Sequence, residues 1–244
     1  MSRVLNLLLL AGSAEASEIV AHLSGGAYRI DVLLSEPARG PGALALPGRL
    51  MPNPSASQIA AGLDRIDAVL DASHGFDARL SVAGQAAAKH RGLPFMSLQR
   101  PPWDLAENPL WQGAADVTGA RQHITPDARV FAATGWASLE DFLPFPGARL
   151  LLRQTRARLR DMPDPLVEPV FSPPPYSVVG ETALFRRLAI DMLICRNIGG
   201  DASRPKLDAA TALGLPVVLI DRPPRPAMPQ VADTQAALDW LATL

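Results

Sequence analysis

Short apolar runs separated by amphipathic stretches set the rhythm of this chain. Runs at Leu5 to Leu10, Ile30 to Leu34, Ala68 to Leu70 and Phe95 to Leu98 alternate with 3.6-period patterns near Ala14 to Leu23, Ser55 to Leu63 and Ala78 to Arg91. Strand, helix and strand in succession predict a parallel sheet clad in helices. The later sequence repeats the rhythm. Strands are predicted near Arg129 to Ala133, Leu150 to Arg153, Met192 to Cys195 and Val217 to Ile220, with helices near Ser177 to Leu188, Lys206 to Leu213 and Thr234 to Leu241.

The pattern therefore predicts an α/β protein of two doubly wound, Rossmann-like halves. The strand signal lapses between Pro101 and Gly113, which places the boundary so that residues 1–112 form one domain and 113–244 the other. A length of 244 residues with 48% apolar content supports two cores of this kind. Proline clusters at Pro101-Pro102, Pro163 to Pro175 and Pro223 to Pro229 read as connectors, where the missing N–H costs no ladder or helix bond.

An internal repeat supports the halves. Ile66-Asp67-Ala68-Val69-Leu70 resembles Ile190-Asp191-Met192-Leu193-Ile194, and Gly92-Leu93-Pro94 through Arg100-Pro101-Pro102 resembles Gly214-Leu215-Pro216 through Arg222-Pro223-Pro224. The turns between the matched strands differ, Asp71 to Phe76 in one copy and Arg196 to Gly200 in the other. A scaffold that repeats while its turns diverge locates the chemistry in the turns, because open α/β sheets bind ligands beyond the carboxyl ends of their strands.

Charge narrows the partners. With 23 basic and 24 acidic side chains, the net charge of -1 gives no electrostatic reason to expect nucleic acid or an anionic membrane, and favours a small polar ligand. Cys195 is the lone cysteine, and His22, His74, His90 and His123 show no i, i+4 pairing, so neither a disulfide nor a metal site is expected. Arg3, the run Val4 to Ala11 and Ser13-Ala14-Glu15-Ala16 imitate a secretory signal, yet Asn6 interrupts the run and the same residues read as a buried strand with its turn. A cytoplasmic protein is the default expectation.

Several turns carry candidate chemistry. Gly12, Ser13, Ala14 and Glu15 open a helix after the first strand, where free N–H groups suit a phosphate, and Thr134-Gly135 is the counterpart in the second half. Asn197, Gly199 and Gly200 allow close backbone approach to a ligand, with Lys206 following as a mobile cation. Ser73 and His74 leave a strand together, but adjacent extended residues point to opposite sides, which argues against a nucleophile pair. His74 remains a candidate proton donor or carboxylate ligand. Arg149, Arg153, Arg156, Arg158 and Arg160 concentrate positive charge that fits a polycarboxylate or phosphate, or protects a solvated edge strand.

Together these turns resemble the precorrin-6A reductase family of cobalamin biosynthesis. Its members carry Gly-Gly-Thr-x-Glu where this chain has Ala11 to Glu15, Asp-Ala-Thr-His-Pro-Phe where it has Asp71 to Phe76, and Glu-Arg-Pro-Pro-Trp where it has Gln99 to Trp103. Thr134-Gly135, Pro174-Pro175-Tyr176-Ser177 in place of a Gly-Pro-Phe-Ser segment, and Arg196 to Gly200 in place of Lys-Asn-Ser-Gly-Gly complete the series in order. Departures are Gly75 for proline, Arg196 for lysine, Met51-Pro52-Asn53-Pro54 where members often have a glycine-rich loop, and Glu36-Pro37-Ala38-Arg39 where they often have a Leu-Ala-Gly-Arg-like segment.

The resemblance implies a ligand cleft between two Rossmann-like parallel-sheet halves, NADPH as hydride donor, and reduction of one unsaturated bond of a tetrapyrrole, precorrin-6A, to give precorrin-6B. It assigns the cofactor to Gly12, Ser13, Ala14, Glu15, Ser35, Arg39, Thr134, Gly135, Asn197, Gly199 and Gly200. It assigns the macrocycle to Ser73, His74, Phe76, Arg100, Trp103, Tyr176, Ser177, Arg196 and Lys206, with His74 and Lys206 as candidates for the catalytic role. Near the ribose, Ser35 and Arg39 favour a phosphate whereas Glu36 disfavours one. The expected working form is a monomer or weak homo-oligomer. A two-lobed solute-binding protein and a nucleotide-sugar transferase with paired Rossmann halves are the rival readings.

Overall fold

The computed structural model describes residues 4–37, 44–155 and 162–244. The chain begins with β1 (Leu5–Ala11), α1 (Ala14–Leu23), β2 (Tyr28–Leu34), β3 (Gly48–Leu50), α2 (Ala56–Ala60), β4 (Ala68–Ala72), α3 (Ala78–Arg91) and β5 (Phe95–Leu98). It continues with β6 (Trp111–Ala114), α4 (Val117–Arg121), β7 (Arg129–Ala133), β8 (Arg149–Gln154), β9 (Val167–Phe171), α5 (Val178–Arg187), β10 (Met192–Arg196), α6 (Pro205–Ala212) and β11 (Val217–Ile220). It closes with β12 (Gln230–Val231) and α7 (Thr234–Leu241). The signal-like run is thus the strand β1.

Two compact units result, one made of residues 1–101 with 223–244 and the other of residues 102–222. Each holds a six-stranded sheet, in the order β12-β5-β4-β1-β2-β3 and β6-β11-β10-β7-β8-β9, and the recorded strand pairs are parallel. The expected division at 112/113 therefore falls inside β6, and the C-terminal residues return to the first unit. The reason is topological. β5 and β11 each run into an Arg-Pro-Pro segment, but β6 after the first segment pairs with β11, and β12 after the second pairs with β5. The second unit lies in the chain between the fifth and sixth strands of the first, and its own sixth-position strand comes first.

In the first unit, alternate residues of β1 serve opposite faces of the sheet. Leu7, Leu9 and Ala11 pack with Ile19 and Val20 of α1 and with Ala237 and Leu241 of α7. Leu8 and Leu10 pack with Ile59 of α2 and Leu80 and Ala87 of α3. Gly84 lets α3 lie on the sheet, since a Cβ there would overlap Leu10. The ends of α3 are fixed by Asp77, which accepts from Leu80 N at 3.1 Å, and by Gly92 in the left-handed region at φ 65°.

In the second unit, Phe131, Leu151, Leu193 and Leu219 form a core with Phe185 of α5 and Leu207 and Ala210 of α6. Residues 163–175, expected as a connector, contain β9. Its Pro169 fits because β9 is an edge strand, paired only with β8.

Candidate functional site

Strand order reverses between β1 and β4 in the first unit and between β7 and β10 in the second. The turns leaving these four strands are where a ligand crevice is expected in each unit.

In the first unit the two turns are tied together. Ser13 N and Ser13 Oγ both donate to Ala72 O, at 3.2 and 2.9 Å, and Ser13 Oγ caps α1 by accepting from Ala16 N at 3.3 Å. Gly12 is required by this approach, because a Cβ there would lie 2.9 Å from His74 N. Gly12 and Ala14 are exposed. Glu15 is buried and accepts from Arg100 Nη1 at 2.7 Å, while its Oε2 has no partner among the described residues. Arg100, expected to meet substrate carboxylates, thus already holds a carboxylate of the chain.

The turn after β4 is built over a buried polar cluster. Asp71, 1% exposed, accepts from Ser73 N at 3.1 Å and from Ser97 Oγ at 3.0 Å. Ser73 lies 6% exposed with its Oγ 3.0 Å from Ser81 Oγ, so its hydroxyl faces the interior while His74 stays half-buried. His74 Nδ1 accepts from Phe76 N at 3.1 Å, which puts the proton of the neutral ring on Nε2. Phe76 is half-buried, its ring centroid 6.2 Å from that of His74. Ser35, at the end of β2, donates to the Asp77 carboxylate that caps α3. Arg39 lies outside the described residues.

Arg225 was hidden among the connector prolines, yet it organises this turn. Its Nη1 donates to Ser81 Oγ at 2.8 Å and stands 4.0 Å from Asp71 Oδ2. Its Nη2 donates to Gly75 O at 2.8 Å and His74 O at 3.4 Å. No apolar or motif signal marks it; only its position three residues after Arg222 in the repeated Arg-Pro-Pro segment could have drawn notice.

In the second unit, Thr134 is buried and accepts from Ser138 Oγ at 2.7 Å, and Gly135 follows at φ 83° with the Arg196 guanidinium facing its Cα. Across the reversal, Gly199 and Gly200 adopt φ 66° and 75°, a conformation that side chains rarely take. Asn197 is 5% exposed and grips Trp103, accepting from its N at 2.8 Å and donating to its O at 3.1 Å. Arg222 donates from Nε to Asn197 O at 3.2 Å and from Nη2 to Ile198 O at 2.7 Å.

Several expected ligand groups are instead occupied inside this unit. Lys206 is no mobile cation: it is buried, donates to Ser203 O, and lies 4.9 Å from the centroid of the Trp103 ring. Trp103 itself belongs to the core. Helix initiation at Pro205 explains the burial, since it turns the second residue of α6 inward. Ser177 caps α5 by accepting from Gly180 N at 3.1 Å. Tyr176 donates to Ser172 O at 3.3 Å and stacks on Arg153, whose Cζ is 4.5 Å from its ring centroid; burial pushes its phenol pKa up, the Arg153 charge opposing.

The arginine segment divides accordingly. Arg153 points into the unit, donating from Nη2 to both oxygens of Glu181 at 2.7 Å, and Arg149 Nη1 donates to Pro165 O at 3.1 Å. Arg156, Arg158 and Arg160 lie outside the described residues. Among the described residues there is no group of three or more His, Cys, Asp or Glu placed to hold a metal, and no helix long and apolar enough to cross a membrane.

The sequence model for precorrin-6x reductase CbiJ/CobK matches residues 6–242. The chain belongs to this family. Within it, the chain is 32% identical to a precorrin-6A reductase of Rhodobacter capsulatus over 239 residues, 97% of this chain and 95% of that one. It is 37% identical over 186 residues to the precorrin-6A reductase of Rhodococcus erythropolis, 73% of each chain. A solved CobK precorrin-6A reductase superposes with a TM-score of 0.89 at 31% identity, covering 98% of this chain and 96% of that chain. The family resemblance read from the turns is borne out, and neither rival reading is favoured. That solved reductase thus shares the α/β fold of this chain.

Proposed function

We propose that this chain reduces precorrin-6A to precorrin-6B with NADPH as the hydride donor. The observation that carries the reading is its likeness, over nearly the whole of both chains, to the precorrin-6A reductase of Rhodobacter capsulatus.

The second unit fits a dinucleotide better than the first. Gly135 on one side of the reversal, and Gly199 and Gly200 on the other, take left-handed backbone that lets main chain approach a pyrophosphate, and the Arg196 guanidinium facing Gly135 supplies the opposite charge. The matching turn of the first unit places Glu15 in the opening turn of α1, with a carboxylate oxygen that has no partner among the described residues and opposes a phosphate. Thr134, Gly135, Arg196, Gly199 and Gly200 would therefore hold the nucleotide. Bound there, the nicotinamide supplies a hydride to one unsaturated carbon of the macrocycle, and the second hydrogen arrives as a proton.

The chain's own part is alignment and proton supply. With Lys206 buried against Trp103, His74 is the remaining candidate, and its Nε2 proton is set by the bond that Phe76 N makes to Nδ1. Carboxylates of the macrocycle are matched by the same Nε2–H and by Arg100, where a substrate carboxylate would compete with Glu15.

The test is anaerobic oxidation of NADPH by purified protein with precorrin-6A, followed by absorbance and mass, with NADH and macrocycle-free controls. Macrocycle-dependent loss of NADPH and a product heavier by two hydrogens are the expected result. A folded, NADPH-binding protein that turns over neither precorrin-6A nor its cobalt-containing form would overturn the proposal.

A further inference from the structure

The second Arg-Pro-Pro segment carries two arginines three residues apart, Arg222 and Arg225, and each holds a turn beside the strand-order reversal of its own unit, after β10 and β4 respectively. Arg222 donates to Asn197 O and Ile198 O after β10, and Arg225 donates to His74 O and Gly75 O after β4. The correspondence is not inherited from the repeat. In the first copy the equivalent of Arg222 is Arg100, which pairs with Glu15, and the equivalent of Arg225 is Trp103, which is itself held by Asn197.

We infer that Arg222 and Arg225 are positioning residues, one for each ligand-bearing turn. The inference rests on the reading above, in which the second unit takes the nucleotide and His74 meets the macrocycle.

The bonding explains why arginine is needed. Gly75 has no side chain to brace its own turn, and His74 and Gly75 offer two successive carbonyls that one guanidinium arm meets together. The other arm reaches Ser81 Oγ on α3 and faces Asp71, so the turn, the helix it enters and the buried acid at the strand end are fixed by one planar group. Nε of Arg225 is buried without a partner among the described residues, so the hydrogen bonds recorded for this guanidinium go to the turn and the helix behind it. On Arg222, Nε and Nη2 take the two carbonyls that precede Gly199 and Gly200 in the same manner. Charge-assisted bonds to adjacent carbonyls fix main-chain direction, which sets where His74 and the glycine N–H groups point.

The experiment compares Arg222→Gln and Arg225→Gln in the full chain, measuring the Kd of NADPH by fluorescence, and kcat and KM for precorrin-6A. Arg225→Gln is expected to raise KM for precorrin-6A, or lower kcat, about tenfold while the NADPH Kd stays within about twofold; Arg222→Gln is expected to raise the NADPH Kd about tenfold. Arg→Lys at each position keeps the charge and one donor, restores part of the loss, and keeps the test open if a glutamine variant does not fold. Variants that affect both ligands alike, or neither, would overturn the inference. A wild-type protein that binds no NADPH or does not act on precorrin-6A would instead overturn the reading on which it rests.

Discussion

Glu181→Gln isolates one charge in the core of the second unit. Arg153 and Glu181 have side chains 6% and 4% exposed, and both carboxylate oxygens accept from Arg153 Nη2 at 2.7 Å. The guanidinium lies over Phe131 at 4.7 Å and Tyr176 at 4.5 Å from the ring centroids, and its Nε has no partner among the described residues. An amide in place of the carboxylate keeps shape and volume but leaves a buried cation with only the two ring faces to balance it. Breaking a buried pair from one side costs about 3–5 kcal/mol. Cation–π contact with two rings returns about 1–2 kcal/mol at each ring, but the wild type has that as well and it does not offset the loss. For a unit of this size about 1 kcal/mol moves the melting temperature by roughly 4 °C, so a fall of about 10–20 °C is expected. Thermal unfolding by far-ultraviolet circular dichroism, at several scan rates, measures it. The double variant Arg153→Met with Glu181→Leu removes both charges and should recover most of the loss. A single variant melting within about 3 °C of wild type, or a double variant melting below the single, would refute the reasoning.

Three further outcomes follow from the same structure. Gly12→Ala places a Cβ 2.9 Å from His74 N, a main-chain atom that cannot give way, so the Ser13 bonds to Ala72 O should break at a cost of about 1–3 kcal/mol, read by chemical denaturation. The Cys195 thiol, fully buried, has its pKa raised by that burial against the opposing charges of Lys206 and Arg153; iodoacetamide should label it only after unfolding, and labelling of native protein would refute the placement. Burial raises the Tyr176 pKa, so the folded state favours the protonated phenol; the unfolded chain ionises first as pH passes about 10, and stability falls from there towards the folded pKa. Tyr176→Phe should lose that part of the alkaline destabilisation, which pH-dependent melting detects.

Elements with a strong local signature were legible in the sequence. The helices Ala14–Leu23, Ala78–Arg91 and Thr234–Leu241 and the strands Phe95–Leu98, Arg129–Ala133 and Val217–Ile220 fall at the expected residues, because each joins a clear apolar pattern to a cap or turn. The strands that escaped are those stabilised mainly by pairing. Gln230–Val231 has two residues and docks on Ser97 and Leu98, Gly48–Leu50 is exposed throughout, and Val167–Phe171 carries a proline that only an edge position tolerates. The domain division was misplaced for the same reason: where β6 and β12 pair is a long-range fact that no window of sequence contains.

At the candidate site, the turns were legible as loops after strands but the packing of their side chains was not. Asn197 and Lys206 stood out beside the glycines of one turn and Trp103 through its family motif, and the structure closes them on one another. Buried polar groups need partners, and a sequence shows the need without showing the partner. Arg153 and Arg225 are the converse, charged residues read as surface or linker that satisfy acids in the interior.

The placement of one unit inside the other has a consequence for how the protein is made. Residues 102–222 contain every strand of their sheet in one unbroken stretch, so that unit is complete as soon as Arg222 clears the ribosome. The first unit, although begun earlier, must wait for β12, α7 and Arg225, which follow the second unit in the chain. The usual amino-to-carboxyl order of domain completion is therefore reversed. A nascent or truncated chain ending before Pro223 would carry a finished second unit beside a first unit with an uncovered β5 edge, the kind of surface on which chaperones act and aggregates start.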